Sequence, residues 1–261
     1  MRRELVELTK YKELLYVITY RDIRVRYKQS VMGFLWAILM PILIVASGVI
    51  VRYGYALVSH SQLKTGDIAS VAIKSVPWAF IVSSIRFTCN SLFGNRDLVV
   101  KIYFPKEIFP MAAVLACLFD LFVASAALLI LLVVLRVGWS VYLLWVPFLL
   151  AVIVLFCIGV GLLVSAASLF FRDVRYIVEV FLTFGIFFTP VFFDVRMFGP
   201  IGRWLLLNPV APLLDGLSTC VVRHASPDIA WVAYSVMFSV LAFVTGFSLF
   251  KHLEPAFAES I

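Results

Sequence analysis

The chain has 261 residues, of which 63% are apolar and only 14% charged, and its mean hydropathy is +1.05. Soluble domains carry about 25% charged residues, so this composition excludes an ordinary soluble globule and points to a polytopic membrane protein. The net charge of +7 does not call for nucleic acid, because Lys and Arg gather at the ends of apolar runs, where orientation in a membrane accounts for them.

Residues 1–30 form the one long polar segment, and no cleavable signal peptide is expected there. Leu15, Ile18 and Val25 recur at helical spacing, while Arg21, Arg24 and Lys28 share another face and Asp22 is placed to meet Arg26 one turn on. A basic amphipathic helix of this kind lies at the cytoplasmic headgroups; the plainer alternative is a solvated basic tail. Span 1 is predicted over 31–52, with Pro41 as a kink, followed by a polar loop over 53–72. Span 2, over 73–93, carries Ser83, Ser84, Thr88, Asn90 and Ser91, a stripe that should face protein or a pathway.

Residues 94–110, GNRDLVVKIYFPKEIFP, interrupt the apolar pattern with a charged island. It holds Asn95, Arg96, Asp97, Lys101, Phe104, Pro105, Lys106 and Glu107, and its prolines confine any helix to 96–104. Span 3 follows over 111–135 and span 4 over 143–170. A short charged connection, FRDVR, supplies Arg172, Asp173 and Arg175. Span 5 is predicted over 176–193 and span 6 over 229–250, leaving a short polar tail, 251–261. Between spans 5 and 6, residues 194–228 contain an apolar stretch, 210–222, too short to cross. With 203–208 it reads as helices that dip in and return, carrying Trp204, Asn208, Pro209 and Asp215; an ordinary surface loop is the alternative. The predicted fold is therefore all-α, with six transmembrane helices in one domain over 31–250, an interface segment over 1–30 and a tail. Fourteen Lys and Arg fall on the N-terminal side of this scheme against seven on the other, which orients both termini to the cytoplasm. Trp78, Trp139, Trp145, Trp204 and Trp231 fall near the outer ends, as an interfacial belt would.

Charge within a span is costly, about 2.5–3.5 kcal/mol on insertion scales. Arg86 and Asp120 lie at similar depth on helices joined by the island, so the sequence predicts an ion pair between them, structural or part of a pathway. Phe181, Phe184, Phe187 and Phe188 in span 5 either face lipid or line a conduit along which sugar rings slide. Cys89, Cys117, Cys157 and Cys220 form no CxxC pair and read as packing residues. No metal-ligand spacing, no catalytic triad order and no GxxxxGK[ST] is present, so ATP cannot bind a P-loop of this chain.

Five motifs occur in order: TYRDIRVRYKQSVMGFLWAILMP (19–41), KIYFPKEIFP (101–110), FFRDVRYI (170–177), Thr189-Pro190 with Phe193 after it, and LNP (207–209). Together they resemble the permease subunits of polysaccharide-exporting ABC transporters, the O-antigen and teichoic-acid type. The resemblance covers nearly the whole chain. It implies a homodimer in the cytoplasmic membrane, two copies of a separate P-loop ATPase that binds ATP and Mg, and a lipid-linked glycan as substrate. It also implies that the island docks into the ATPase and that 203–222 forms an outer gate. Met32-Gly33, Asp97 and Val100 depart from the family's usual residues. A permease of the same build for a lipid or small amphiphile is the first alternative. An intramembrane enzyme would show a catalytic pair in the spans, and a partnerless channel would conduct without nucleotide.

Overall fold

A computed structural model describes residues 10–28, 35–58, 60, 62, 64–102 and 104–257. The first residues of the interface segment, the start of span 1 with Met32-Gly33, and the last four residues lie outside the described residues. All regular elements among the described residues are helical. They are α1 (Lys12–Lys28), α2 (Leu35–Val58), α3 (Thr65–Gly94), α4 (Arg96–Lys101), α5 (Ile108–Val134), α6 (Trp145–Phe170), α7 (Asp173–Gly185), α8 (Gly202–Leu205), α9 (Ala211–Val222) and α10 (Ile229–Leu253), with short 3-10 turns at Val141–Leu144, Val195–Ile201 and Glu254–Ala256. Five helices among the described residues are long and apolar enough to cross a membrane: α2, α3, α5, α6 with its preceding turn, and α10.

α3 is the hub, packing against α2, α5, α6, α7 and α9. It starts at Thr65 rather than at 73, so the expected polar loop over 53–72 is mostly helix. The reason is tertiary: Asp67, Ser70 and Lys74 find partners inside the protein and do not need water. Asp67, in the first turn, also accepts the backbone N–H of Lys64 at 3.0 Å, a local stop signal for the chain entering the helix. The polar stripe of span 2 behaves as expected for Ser84, Thr88 and Ser91, which are buried, whereas Asn90 is exposed. Ser91 and Ser165 meet at 3.1 Å, and Ser168 donates to the carbonyl of Cys89 at 2.5 Å, joining α3 to α6. Trp78, expected in an interfacial belt, is instead buried against Gly185.

α6 and α10 form the closest helix pair. A Cβ at Gly159 would lie 2.5 Å from the Phe243 backbone nitrogen, and one at Gly246 2.3 Å from the Gly159 carbonyl oxygen. Only glycine allows this approach, the small-residue packing that replaces the hydrophobic effect between helices in lipid. All four cysteines are buried and free.

The predicted span 5 is a 13-residue helix, α7, followed by turns through 186–191. Thirteen residues rise about 20 Å, short of the roughly 30 Å hydrocarbon core. Pro190 cannot donate a helical hydrogen bond and disfavours helix at Thr189, so an apolar run of spanning length is not a continuous helix. The tail also differs from expectation. Residues 254–257 fold back, and Phe257 is buried against Phe170 and Phe250, with ring centroids 5.9 and 5.1 Å away.

Candidate functional site

Three polar assemblies break the apolar surface, one at each end of the bundle and one between.

The first is the island. α4 carries Arg96, Asp97 and Lys101 on an exposed face, with Lys101 and Asp97 3.2 Å apart. Its inner face packs: Val99 and Phe104 join Ile18 of α1, Leu92, Ile108, Phe109, Phe247, Phe250 and Phe257 in one apolar cluster. Arg21 donates to Asn95 Oδ1 at 2.7 Å, fastening α1 to the start of the island. Pro105 and Lys106 are half-buried, and the Lys106 ammonium lies 4.3 Å from the Phe104 ring centroid. Glu107 is fully buried, so it is not a docking residue but an internal one. Its carboxylate lies 2.8 Å from Lys251 Nζ. The contact is a buried ion pair. Burial pushes the Glu107 carboxyl up and Lys251 opposes that shift. Glu254 accepts the Lys106 backbone N–H at 3.0 Å and pairs with Lys251 at 2.9 Å. The island is thus held at both ends, by α1 and by the end of α10. Of the second connection, Arg172 and Asp173 are exposed, while Arg175 turns inward over the Phe93 ring, 4.2 Å from its centroid.

The second assembly surrounds a cavity of about 340 Å³ between α1, α2, α3 and α5. Arg86 and Asp120 both line it, but the ion pair predicted between them is not formed. Asp120 accepts from Arg26 and from the Tyr27 hydroxyl. Arg86 pairs instead with Glu179 of α7, at 3.0 Å from Nε and 2.5 Å from Nη2. Arg26, 3.9 Å over the Phe87 ring, is therefore not matched to Asp22, which takes Arg21 at 2.7 Å. α1 is placed accordingly. Its C-terminal end meets Asp120, twelve residues or about 18 Å along α5 from Ile108, so α1 runs beside α5 as well as fastening to the island. Arg24 and Lys28 stay exposed. Phe181, Phe184, Phe187 and Phe188 all stand exposed, between 56% and 74% of their surface free.

The third assembly was not foreseen. Asp194, after the turns that end α7, accepts from Arg52 Nη2 at 2.7 Å, Lys74 Nζ at 2.9 Å and Ser70 Oγ at 3.1 Å. Lys74 is fully buried and also donates to the Phe193 carbonyl at 2.8 Å. Arg52 adds Asp67 at 2.9 Å and the Phe192 carbonyl at 3.1 Å, and Ser70 meets Ser218 of α9 at 2.8 Å. Burial alone would raise the Asp194 carboxyl; Lys74 and Arg52 reverse that and hold it well below the usual carboxylate range. One carboxylate thus joins α2, α3, the end of the 186–194 segment and, through Ser70, α9. In sequence these residues look like rim charges; a lysine inside VAIKSV was the available signal. Beside it, α9 is buried along nearly all its length. Asn208 donates to Thr189 Oγ1 at 2.9 Å and accepts from Val210 N at 3.1 Å; the Thr-Pro and Leu-Asn-Pro motifs therefore meet. Pro209 is half-buried, Trp204 exposed, and Asp215 lines a neighbouring cavity.

The described residues contain no group of His, Cys, Asp and Glu able to hold a metal ion. What the three assemblies provide is linkage between helices, and the hydroxyls that meet carboxylates, Tyr27 on Asp120 and Ser70 on Asp194, are part of it. The sequence pattern of the membrane family described as ABC-2 type transporter matches residues 13–222, taking in α1, the island, the FRDVR connection and the Thr189–Asn208 contact. The chain belongs to the ABC-2 type transporter family. This transporter chain is 28% identical over 268 residues to the O-antigen export system permease protein RfbA of Myxococcus xanthus, with 100% of both chains covered. Two Klebsiella pneumoniae proteins of the same name are each 25% identical over 249 residues, covering 95% of the transporter chain and 94% of the relative. As a member of this family it is a multi-pass membrane protein and a transport subunit.

Proposed function

We propose that this chain is the permease subunit of an ABC exporter that carries lipid-linked polysaccharide, O-antigen or a similar surface glycan, across the cytoplasmic membrane. The observation that carries this reading is similarity along the full chain to relatives named as O-antigen export permeases. Two copies assemble, each with one P-loop ATPase that binds ATP and Mg. Both termini face the cytoplasm, 173–193 makes the remaining crossing by a helix and turns, and 202–222 dips in and returns as an outer gate. The exposed aromatic side chains from Phe181 to Phe188 face the second copy and line the conduit.

The geometry suggests how work enters. α4 presents Arg96, Asp97 and Lys101 outward to the ATPase while its other face is packed. A push on it passes to α1 through Asn95–Arg21, to α3 and α5 along the chain, and to α10 through Glu107–Lys251. The expected movement is a rigid-body shift of packed helices. The test is ATP hydrolysis by the co-purified complex. Lipid-linked glycan should stimulate it and small amphiphiles should not; stimulation by amphiphiles alone would favour a lipid or drug exporter instead.

A further inference from the structure

At the end of α10 away from the island lies a cavity of about 490 Å³ between the 202–222 segment and the start of α10. Trp231 in its wall and Lys251 beside the island are twenty residues apart on one helix, about 30 Å. The cavity falls within the roughly 300–1,000 Å³ typical of ligand pockets, and Arg196, Arg203, Asp215, Thr219 and Trp231 line it together with Asp228.

Several of these groups are fixed in place. Asp228 caps α10 by accepting from Ala230 N at 3.1 Å, which sets the first turn and hence Trp231. The Trp231 ring meets Tyr234 edge-on at 5.8 Å, and the Tyr234 hydroxyl donates to the Leu207 carbonyl at 2.8 Å. Asp215 Oδ1 is buried and has no hydrogen-bond partner among the described residues. The residue as a whole is only half-buried and lines the cavity, so its carboxylate is open to an occupant there. Neither Arg196 nor Arg203 forms an ion pair among the described residues.

The occupant must donate to Asp215, accept from two guanidinium groups and offer a flat apolar face to an indole ring. A small anion meets the carboxylates of Asp215 and Asp228. A small cation meets Arg196 and Arg203. An acyl chain offers no hydrogen bond to any of these four groups. A sugar ring fits each demand: every hydroxyl both donates and accepts, and the ring carries an apolar face of C–H groups. We propose that this cavity is a saccharide-binding subsite, in which Trp231 carries the face of a sugar ring, Asp215 accepts from its hydroxyls, and Arg196 and Arg203 donate to them. It holds the leading part of the emerging chain, so that the glycan does not slide back between ATP cycles. The inference rests on the polysaccharide-export reading and adds a site of contact to it.

The test uses the full chain in nanodiscs. The probe is surface polysaccharide purified from cells that carry this chain, freed of its lipid by mild acid, with binding followed by titration calorimetry. The wild type should bind. Trp231→Ala and Asp215→Asn should each weaken binding about tenfold, a loss of one well-made contact, and Trp231→Phe should retain most of it. Thermal midpoints should match the wild type. Asp215→Asn is nearly isosteric and carries the test if Trp231→Ala does not fold. No binding by the wild type, or undiminished binding by Asp215→Asn, overturns the subsite. A strain lacking the chain separates this from the parent reading. Surface polysaccharide that persists there refutes export; polysaccharide lost there with binding unchanged in the variants refutes the subsite alone.

Discussion

Asp194→Ala should be among the most damaging substitutions in the chain. The change removes the carboxylate shared by Arg52 at 2.7 Å and Lys74 at 2.9 Å. The Lys74 side chain is 0% exposed and that of Arg52 6%, so neither cation can turn to solvent. Arg52 keeps Asp67, but the hydrogen bond that remains to Lys74 goes to the neutral Phe193 carbonyl, with the Asp215 carboxylate near but not bonded to it. Removing one partner of a buried ion pair costs about 3–5 kcal/mol, because the other charge stays buried. For a chain of this size each kcal/mol lowers the thermal midpoint by about 2–4 °C, so a fall of at least about 6 °C is expected. The assay is thermal unfolding of the detergent-solubilised chain, followed by tryptophan fluorescence. Adding Lys74→Met to Asp194→Ala should recover part of the loss, since the stranded charge is gone. A midpoint within about 1 °C of wild type for Asp194→Ala, or a double variant worse than the sum of the singles, would refute the clamp.

Three further outcomes are expected. Gly159→Ala should part α6 from α10 and lower membrane yield, at the roughly 1–3 kcal/mol of an overpacked contact, whereas Ala at the open position Gly54 should not; quantitative blotting of membranes reads both. Double-mutant cycles on thermal stability should give Arg26 and Asp120 a coupling within the roughly 0.5–3 kcal/mol range of contacting groups, and Arg86 should couple to Glu179 more strongly than to Asp120. The Asp194 contribution should depend on acidity. Its folded carboxyl titrates below the ordinary value near 3.9, so its stabilisation is fully present above that value and disappears as pH falls through the lower, folded one. The midpoint difference between wild type and Asp194→Asn should hold steady from pH 7 to 5 and narrow below about pH 4.

How far the residues announce this structure depends on the range of the forces involved. Apolar runs are local, and α5, α6 and α10 sit close to where the sequence puts them. The segment after α7 is a matter of weighing two local signals. The apolar run says span, Thr189-Pro190 says break, and the break prevails because a missing donor cannot be supplied by hydrophobicity. Charge pairing is not local at all. Arg26 and Asp120 are 94 residues apart, and Arg86 and Glu179 93. Similar depth on adjacent helices makes Arg86–Asp120 plausible, yet depth does not fix which way a side chain faces. Lys74 is the clearest case. In composition it is one more rim cation; only the folded chain shows that Asp194, 120 residues on, neutralises it. The tail misleads for the same reason, since Phe257 is buried by rings of two helices, Phe170 and Phe250.

The central claim is that work done on the island moves a glycan outward, and the most direct measurement is polysaccharide on the surface of intact cells. A strain lacking the chain should lose it and accumulate lipid-linked glycan inside. Wild type should restore it. The Arg96→Ala, Lys101→Ala, Lys106→Ala triple variant should reach the membrane in normal amount, yet leave the glycan inside while ATP is still hydrolysed. Full surface polysaccharide in the strain lacking the chain, or full restoration by the triple variant, would contradict the account.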